Sequence, residues 1–161
     1  MKLNNVDPLS LFIDRWAILT AGSQEKFNGM TVSWGSLGTI WRNPAATVYV
    51  RHSRYTHEIL DNTDTYTLSF FPEKYKDALT IMGRNSGRDT DKISMAGLTP
   101  EFLPDGKGVT YKEAELVLVL KKRFAQDMAT DCMKPEIAEE FYSNHDDHTI
   151  YIGEIIDIIE K

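Results

Sequence analysis

The segment Ala114-Glu-Leu-Val-Leu-Val-Leu-Lys121 constrains the fold more than any other stretch of this chain. It is nearly continuously apolar and rich in Val and Leu, so it reads as a strand covered on both faces, one of them by a partner subunit. Other β-type runs surround it. Residues 11–20 read as a first strand ending at Ala21-Gly22, and a second begins at the Asn28-Gly29 turn signal and includes residues 32–34. Residues 46–50 alternate after the Asn43-Pro44 break, residues 66–71 stop at Pro72, and residues 148–158 alternate to the end. Helical spacing occurs over residues 54–62, with Ser53 as N-cap, and over residues 73–82, 90–96 and 134–142, where Pro135 suits a first turn. Residues 98–110 read as a loop holding a short strand at 101–103.

Many strands, few short helices and no regular βαβ alternation specify a mainly β protein, an antiparallel β-barrel with helical insertions. No Gly-x-Gly-x-x-Gly follows a strand and no P-loop pattern is present, which excludes the usual dinucleotide and nucleoside-triphosphate cradles. With 161 residues and neither repeats nor a low-complexity linker, residues 1–161 are expected to form a single domain.

A formal charge of −6 and a pI near 5.2 argue against a nucleic-acid partner and against an anionic membrane surface. Arg51, Arg54, Arg84 and Arg88 still offer a local positive pocket for a small ligand. Cys132 is the only cysteine, so the chain forms no intrachain disulfide and no cysteine-based metal cluster, and no His/Asn partner marks it as a nucleophile. Residues 1–10 carry Asp7 and Pro8 and lack the apolar stretch of a signal peptide, and nothing approaches the roughly 20 apolar residues of a membrane span. The expected setting is soluble and cytoplasmic.

Two segments carry chemistry. Asn28-Gly-Met-Thr-Val-Ser-Trp-Gly35 offers Thr31, Ser33, Trp34 and Gly35 to a flat, electron-poor ring, with Met30 and Trp34 as apolar walls around Val32. Val50-Arg-His-Ser-Arg-Tyr-Thr56 offers Arg51, Ser53, Arg54 and Thr56 to a phosphate. Together they point to a flavin. His145-Asp-Asp-His148 is the competing metal motif, but ligands so close on an extended segment cannot converge, and no metal is assigned. His52 and His57 carry no specific signal.

These two segments, followed by Gly83-Arg-Asn-Ser-Gly-Arg-Asp89 with Asp91-Lys92 and by His148-Thr-Ile-Tyr-Ile-Gly-Glu154, resemble the flavin reductase-like FMN-binding split-barrel family, particularly its flavoredoxin-like branch. The resemblance implies a split β-barrel, FMN as cofactor and a homodimer with the cofactor at its interface, residues 116–120 lying near that contact. It implies that Tyr55 neighbours the ring or the ribityl chain, or simply packs, and that Ser86, Gly87, Arg88 and Lys92 cover the cofactor or receive an anionic partner. It implies that His148 contributes to the geometry of hydride transfer. The expected function is an FMN-binding oxidoreductase that accepts electrons from NAD(P)H or a protein donor and passes them to a flavin or another small-molecule acceptor. The alternatives are a non-catalytic, flavin-holding electron carrier and a cofactor-free split-barrel binding module.

Overall fold

The computed structural model describes Leu3 and residues 6–161, so the N-terminal stretch read for a leader lies partly outside the described residues. The chain opens with a helical turn, α1 (Pro8–Ser10), continued by a π-helical turn over Leu11–Arg15. The strand expected over residues 11–20 therefore begins only at Ala17. Asp7 accepts a hydrogen bond from the Leu9 amide and Pro8 occupies the first helical position, a start signal that outweighs the β propensity of Phe12 and Ile13. Trp16, at φ 62°, turns the chain into β1 (Ala17–Gly22). Leu11 and Phe12 are buried, and the Phe12 ring meets Phe70 edge-on at 5.9 Å.

The other strands are β2 (Phe27–Val32), β3 (Gly35–Ile40), β4 (Asn43–Arg51), β5 (Thr65–Phe70), β6 (Pro100–Phe102), β7 (Val109–Tyr111), β8 (Leu116–Asp127) and β9 (His148–Glu160). Strands β6 and β7 pair with each other where a loop with one strand was expected. The remaining seven form one antiparallel sheet in the order β2-β1-β5-β8-β9-β4-β3. Its two edges, β2 and β3, are consecutive in the chain and joined only by Ser33 and Trp34. The sheet therefore curls into a barrel whose edges come together without pairing, a split barrel. Strand β3 was missed by pattern because Gly-Ser-Leu-Gly-Thr-Ile is poor in strand formers. The Asn28-Gly29 pair is no turn: a Cβ on Gly29 would lie 2.4 Å from the Tyr111 hydroxyl, so glycine is there to let Tyr111 approach.

Strand β8 is covered twice, but by its own chain. Leu116, Leu118 and Leu120 face the barrel interior, and Val117 faces a second cluster with Ile18, Tyr111 and α3 (Lys76–Arg84). All five residues of 116–120 are buried within one chain, which removes this run as the expected partner contact. Helix α2 (Tyr55–Asp61) starts with Arg54, not Ser53, at its N-cap, and no side chain caps it. Short α4 (Lys92–Met95) and α5 (Pro135–Tyr142) are the remaining α-helices among the described residues. Gly83 brings α3 against β2, because a Cβ there would already sit 3.2 Å from Thr31.

Candidate functional site

The split creates the site. Strand β2 pairs only with β1, so its outer edge presents unshared backbone donors and acceptors beside β4. A cleft of about 260 Å³ opens there, lined by Met30, Thr31, Val32, Ser33 and Trp34 with Tyr49, Arg51, Arg54 and His148. A second cavity of about 150 Å³ is lined by Asn28, Ser53, Arg54, Tyr55, Thr56, Arg84, Asn85, Ser86, Gly87 and Lys92. Arg54 belongs to both, so the cleft and the cavity are neighbours across one guanidinium.

The two differ in chemistry. The cleft has a Trp34 wall, 40% exposed, whose ring lies 5.0 Å from that of His148 and 5.4 Å from Phe141. His148 is buried and its Nδ1 lies 2.9 Å from the Tyr142 hydroxyl. Burial, reinforced by the nearby Arg51 charge, pushes the His148 imidazole down to about 4, so the ring is neutral at pH 7. Arg51 donates to the carbonyls of Asp146, at 2.5 Å, and Phe141, at 3.1 Å, which fixes its guanidinium against the cleft. Thr31 donates to Leu79 O of α3 at 2.5 Å, so its proton is already committed and only its lone pairs and backbone face a ligand.

The cavity is cationic. Arg54, Arg84 and Lys92 line it and no Asp or Glu does. Lys92 is only 2% exposed, and its Nζ donates to Met82 O and Asn85 O, both at 3.1 Å, at the end of α3. Among the described residues no carboxylate lies within ion-pair distance of Lys92, Arg54 or Arg84. Burial, then the Arg54 charge, pushes the Lys92 ammonium down to about 8, and burial lowers Arg54 as well. A buried ammonium with no counter-charge is a costly arrangement that an anion relieves.

Four expected residues make other contacts. Gly35 lines neither space; a Cβ there would lie 2.4 Å from the Phe12 ring, so its lack of side chain serves packing. Arg88 lines neither space; it is paired with Glu58, donates to Ser53 O at 3.3 Å and stacks 4.9 Å over the Tyr55 ring. Ser53 donates from its amide and its hydroxyl to the Asp146 carboxylate, at 3.1 and 2.7 Å. Burial alone would raise Asp146, but the Ser53 hydrogen bonds with Arg51 and His148 hold it below the usual range. Gly87 packs so closely on Asn28 that a Cβ would lie 2.1 Å from its Oδ1, and Asn28 in turn donates to Thr56 at 2.7 Å.

Tyr49, Asn28 and Asn85 join the site without having been singled out. Tyr49 was readable, since it shares a face with Arg51 two residues along β4. Asp146, read only as part of the His145–His148 metal motif, arrives through the turn before β9 as the partner of Ser53.

Residues 9–161 match the model of the flavin reductase like domain family. Among solved structures the chain is similar to an FMN-binding protein from Thermus thermophilus with bound p-hydroxybenzaldehyde, at TM-score 0.72 and 19% identity, covering 100% of this chain and 82% of that one. It is similar to the flavoredoxin of Desulfovibrio vulgaris (Miyazaki F), at TM-score 0.71 and 20% identity, covering 100% and 76%. It is also similar to an NADH:FAD oxidoreductase of Streptomyces globisporus C-1027, at TM-score 0.69 and 15% identity, covering 91% and 75%. Comparison with curated protein sequences gave no match. At these identities the structural likeness establishes the fold, and the family model, matching nearly the whole length, establishes kinship: this chain belongs to the flavin reductase like domain family.

Proposed function

We propose that the split holds FMN, with the ring in the cleft beside β2 and the phosphate in the cationic cavity, and that the chain is an FMN-dependent oxidoreductase. It accepts electrons from NAD(P)H or a protein donor and passes them to a flavin or another small-molecule acceptor. The observation that carries this reading is the cavity around Arg54, Arg84 and Lys92, three cations with no acidic lining residue. A phosphate monoester, at about −1.5 to −2 charge, matches that set, and Thr56, Ser86 and the Gly87 backbone add uncharged polar groups.

Bound FMN supplies the redox chemistry itself. The chain's own residues hold and orient. Arg54 stands between the two ends of the ligand; the free edge of β2 offers hydrogen bonds along the cleft; Trp34 and Met30 shield it from water. His148 is neutral, so its part is to shape the face where a donor approaches, with Tyr142 setting the ring's orientation, and not to deliver a proton.

The electron-carrier reading is kept for one observation: Trp34 and His148 stand 5.0 Å apart beside the cleft, which narrows access for a second flavin. The homodimer and the cytoplasmic setting belong to the same proposal. What supports them is an open cleft that one copy leaves uncovered and the lack, among the described residues, of any helix long and apolar enough to cross a membrane.

The test is the visible spectrum of the purified protein, recorded before and after FMN and then NADH or NADPH are added without oxygen. Bound flavin that bleaches is the expected result. Flavin that binds and does not bleach leaves the carrier, and no uptake of FMN overturns the site.

A further inference from the structure

A second polar cluster lies apart from this cleft. His52 follows β4, His57 sits on α2, and Asp127 ends β8, yet one ligating atom from each lies within 4.8 Å of the others. His52 Nε2 is 3.0 Å from Asp127 Oδ1. Both imidazole Nε2 atoms and Asp127 Oδ1 converge on the Thr149 hydroxyl, at 3.1, 2.8 and 2.6 Å. An open space of about 410 Å³ adjoins them.

A single hydroxyl ties the three groups together. Thr149 has one O–H, which it donates to Asp127, and its lone pairs then require an N–H from each imidazole. The other nitrogen of His57, Nδ1, lies 3.4 Å from the Asp61 carboxylate, within ion-pair distance. Asp61 is itself fixed by the Tyr151 hydroxyl, which donates to it at 2.5 Å. A carboxylate behind one imidazole nitrogen is the arrangement that aims the other nitrogen's lone pair at a metal.

We propose that His52, His57 and Asp127 bind a divalent transition-metal ion of the zinc class, with Asp61 orienting His57. Two imidazoles and one carboxylate suit such an ion, and the fourth position opens to solvent. Nitrogen and oxygen ligands about 2.0–2.1 Å from a tetrahedral ion lie about 3.3 Å from one another, close to the 3.0 Å separation of His52 and Asp127. With the ion bound, the Nδ1–H of His57 faces Asp61 while Nε2 faces the ion. It also ties the β4–α2 turn to the end of β8. That turn carries Ser53 and Arg54.

Equilibrium dialysis of the full-length protein against zinc, with bound metal measured by atomic absorption, tests the site. One zinc per chain at micromolar free zinc is expected, with a rise in Tm on loading. Asp127→Asn changes an exposed residue and His57→Ala a half-buried one, and each is expected to weaken uptake at least tenfold and to abolish the Tm rise. His145→Ala is expected to change neither. No uptake by the unaltered protein, uptake unchanged in Asp127→Asn, or loss of uptake in His145→Ala overturns the assignment.

Discussion

Lys92 is the residue whose environment is hardest to explain without a ligand. Its ammonium is buried beside Arg54 and bonded only to carbonyls among the described residues, and its pKa falls from 10.5 to about 8. The sign of the linkage is clear. Between pH 8 and 10.5 the unfolded chain binds a proton that the folded one has shed, so this group adds stability as pH rises through that window. An anion in the cavity needs the charged form, so FMN affinity is expected to fall as pH rises above about 8, while riboflavin affinity holds. Lys92→Met is expected to weaken FMN roughly tenfold to a hundredfold, the range of a charged hydrogen bond, and to leave riboflavin unchanged. Flavin fluorescence titrations at several pH values measure both. Equal loss for the two ligands would place the phosphate elsewhere.

The β3–β4 hairpin shows what an element can carry at a cost. Ile40 pairs with Asn43, so Trp41 and Arg42 are the two turn residues, and both have positive φ, 51° and 65°. Such a turn prefers Asn-Gly, and a bulky residue in the left-handed region costs about 1 kcal/mol or more. Replacing Arg42 with Gly is expected to stabilise the protein by about 1 kcal/mol, readable as a higher urea midpoint with an unchanged slope. An unchanged or lower midpoint would mean that the Arg42 side chain makes contacts that outweigh the strain.

For the whole molecule the open question is the second copy. Trp41, 56% exposed, forms with Ile40, Ala45 and the Arg123–Glu154 pair a surface hollow of about 290 Å³ at one end of the sheet. The buried run 116–120 cannot be the contact, so the dimer proposed here must use exposed surface such as this. Sedimentation of the unaltered chain is expected to give a dimer, and Trp41→Asp to shift it towards monomer. A monomer that binds FMN as tightly as the dimer would refute a cofactor site shared between copies.

Local pattern was enough for the mainly β class and for seven of the nine strands among the described residues, all but β3 and β7, because side-chain alternation is written in consecutive residues. It failed where distant contacts decide. Gly29 and Gly35 read as a turn and a ring contact, yet Tyr111 and Phe12 press on them from far along the chain. Ser53 read as a cap and a phosphate donor, yet Asp146 claims it. The sequence by itself supplied the arginines, hydroxyls and aromatic side chains on which the proposed site rests. Only the tertiary structure brought Lys92 beside Arg54 in a cavity without acids, and only the two unpaired edges meeting at Ser33 and Trp34 turned a strand into one wall of a cleft. The physical reason is that burial and edge pairing are properties of the closed sheet, which no short window of residues contains.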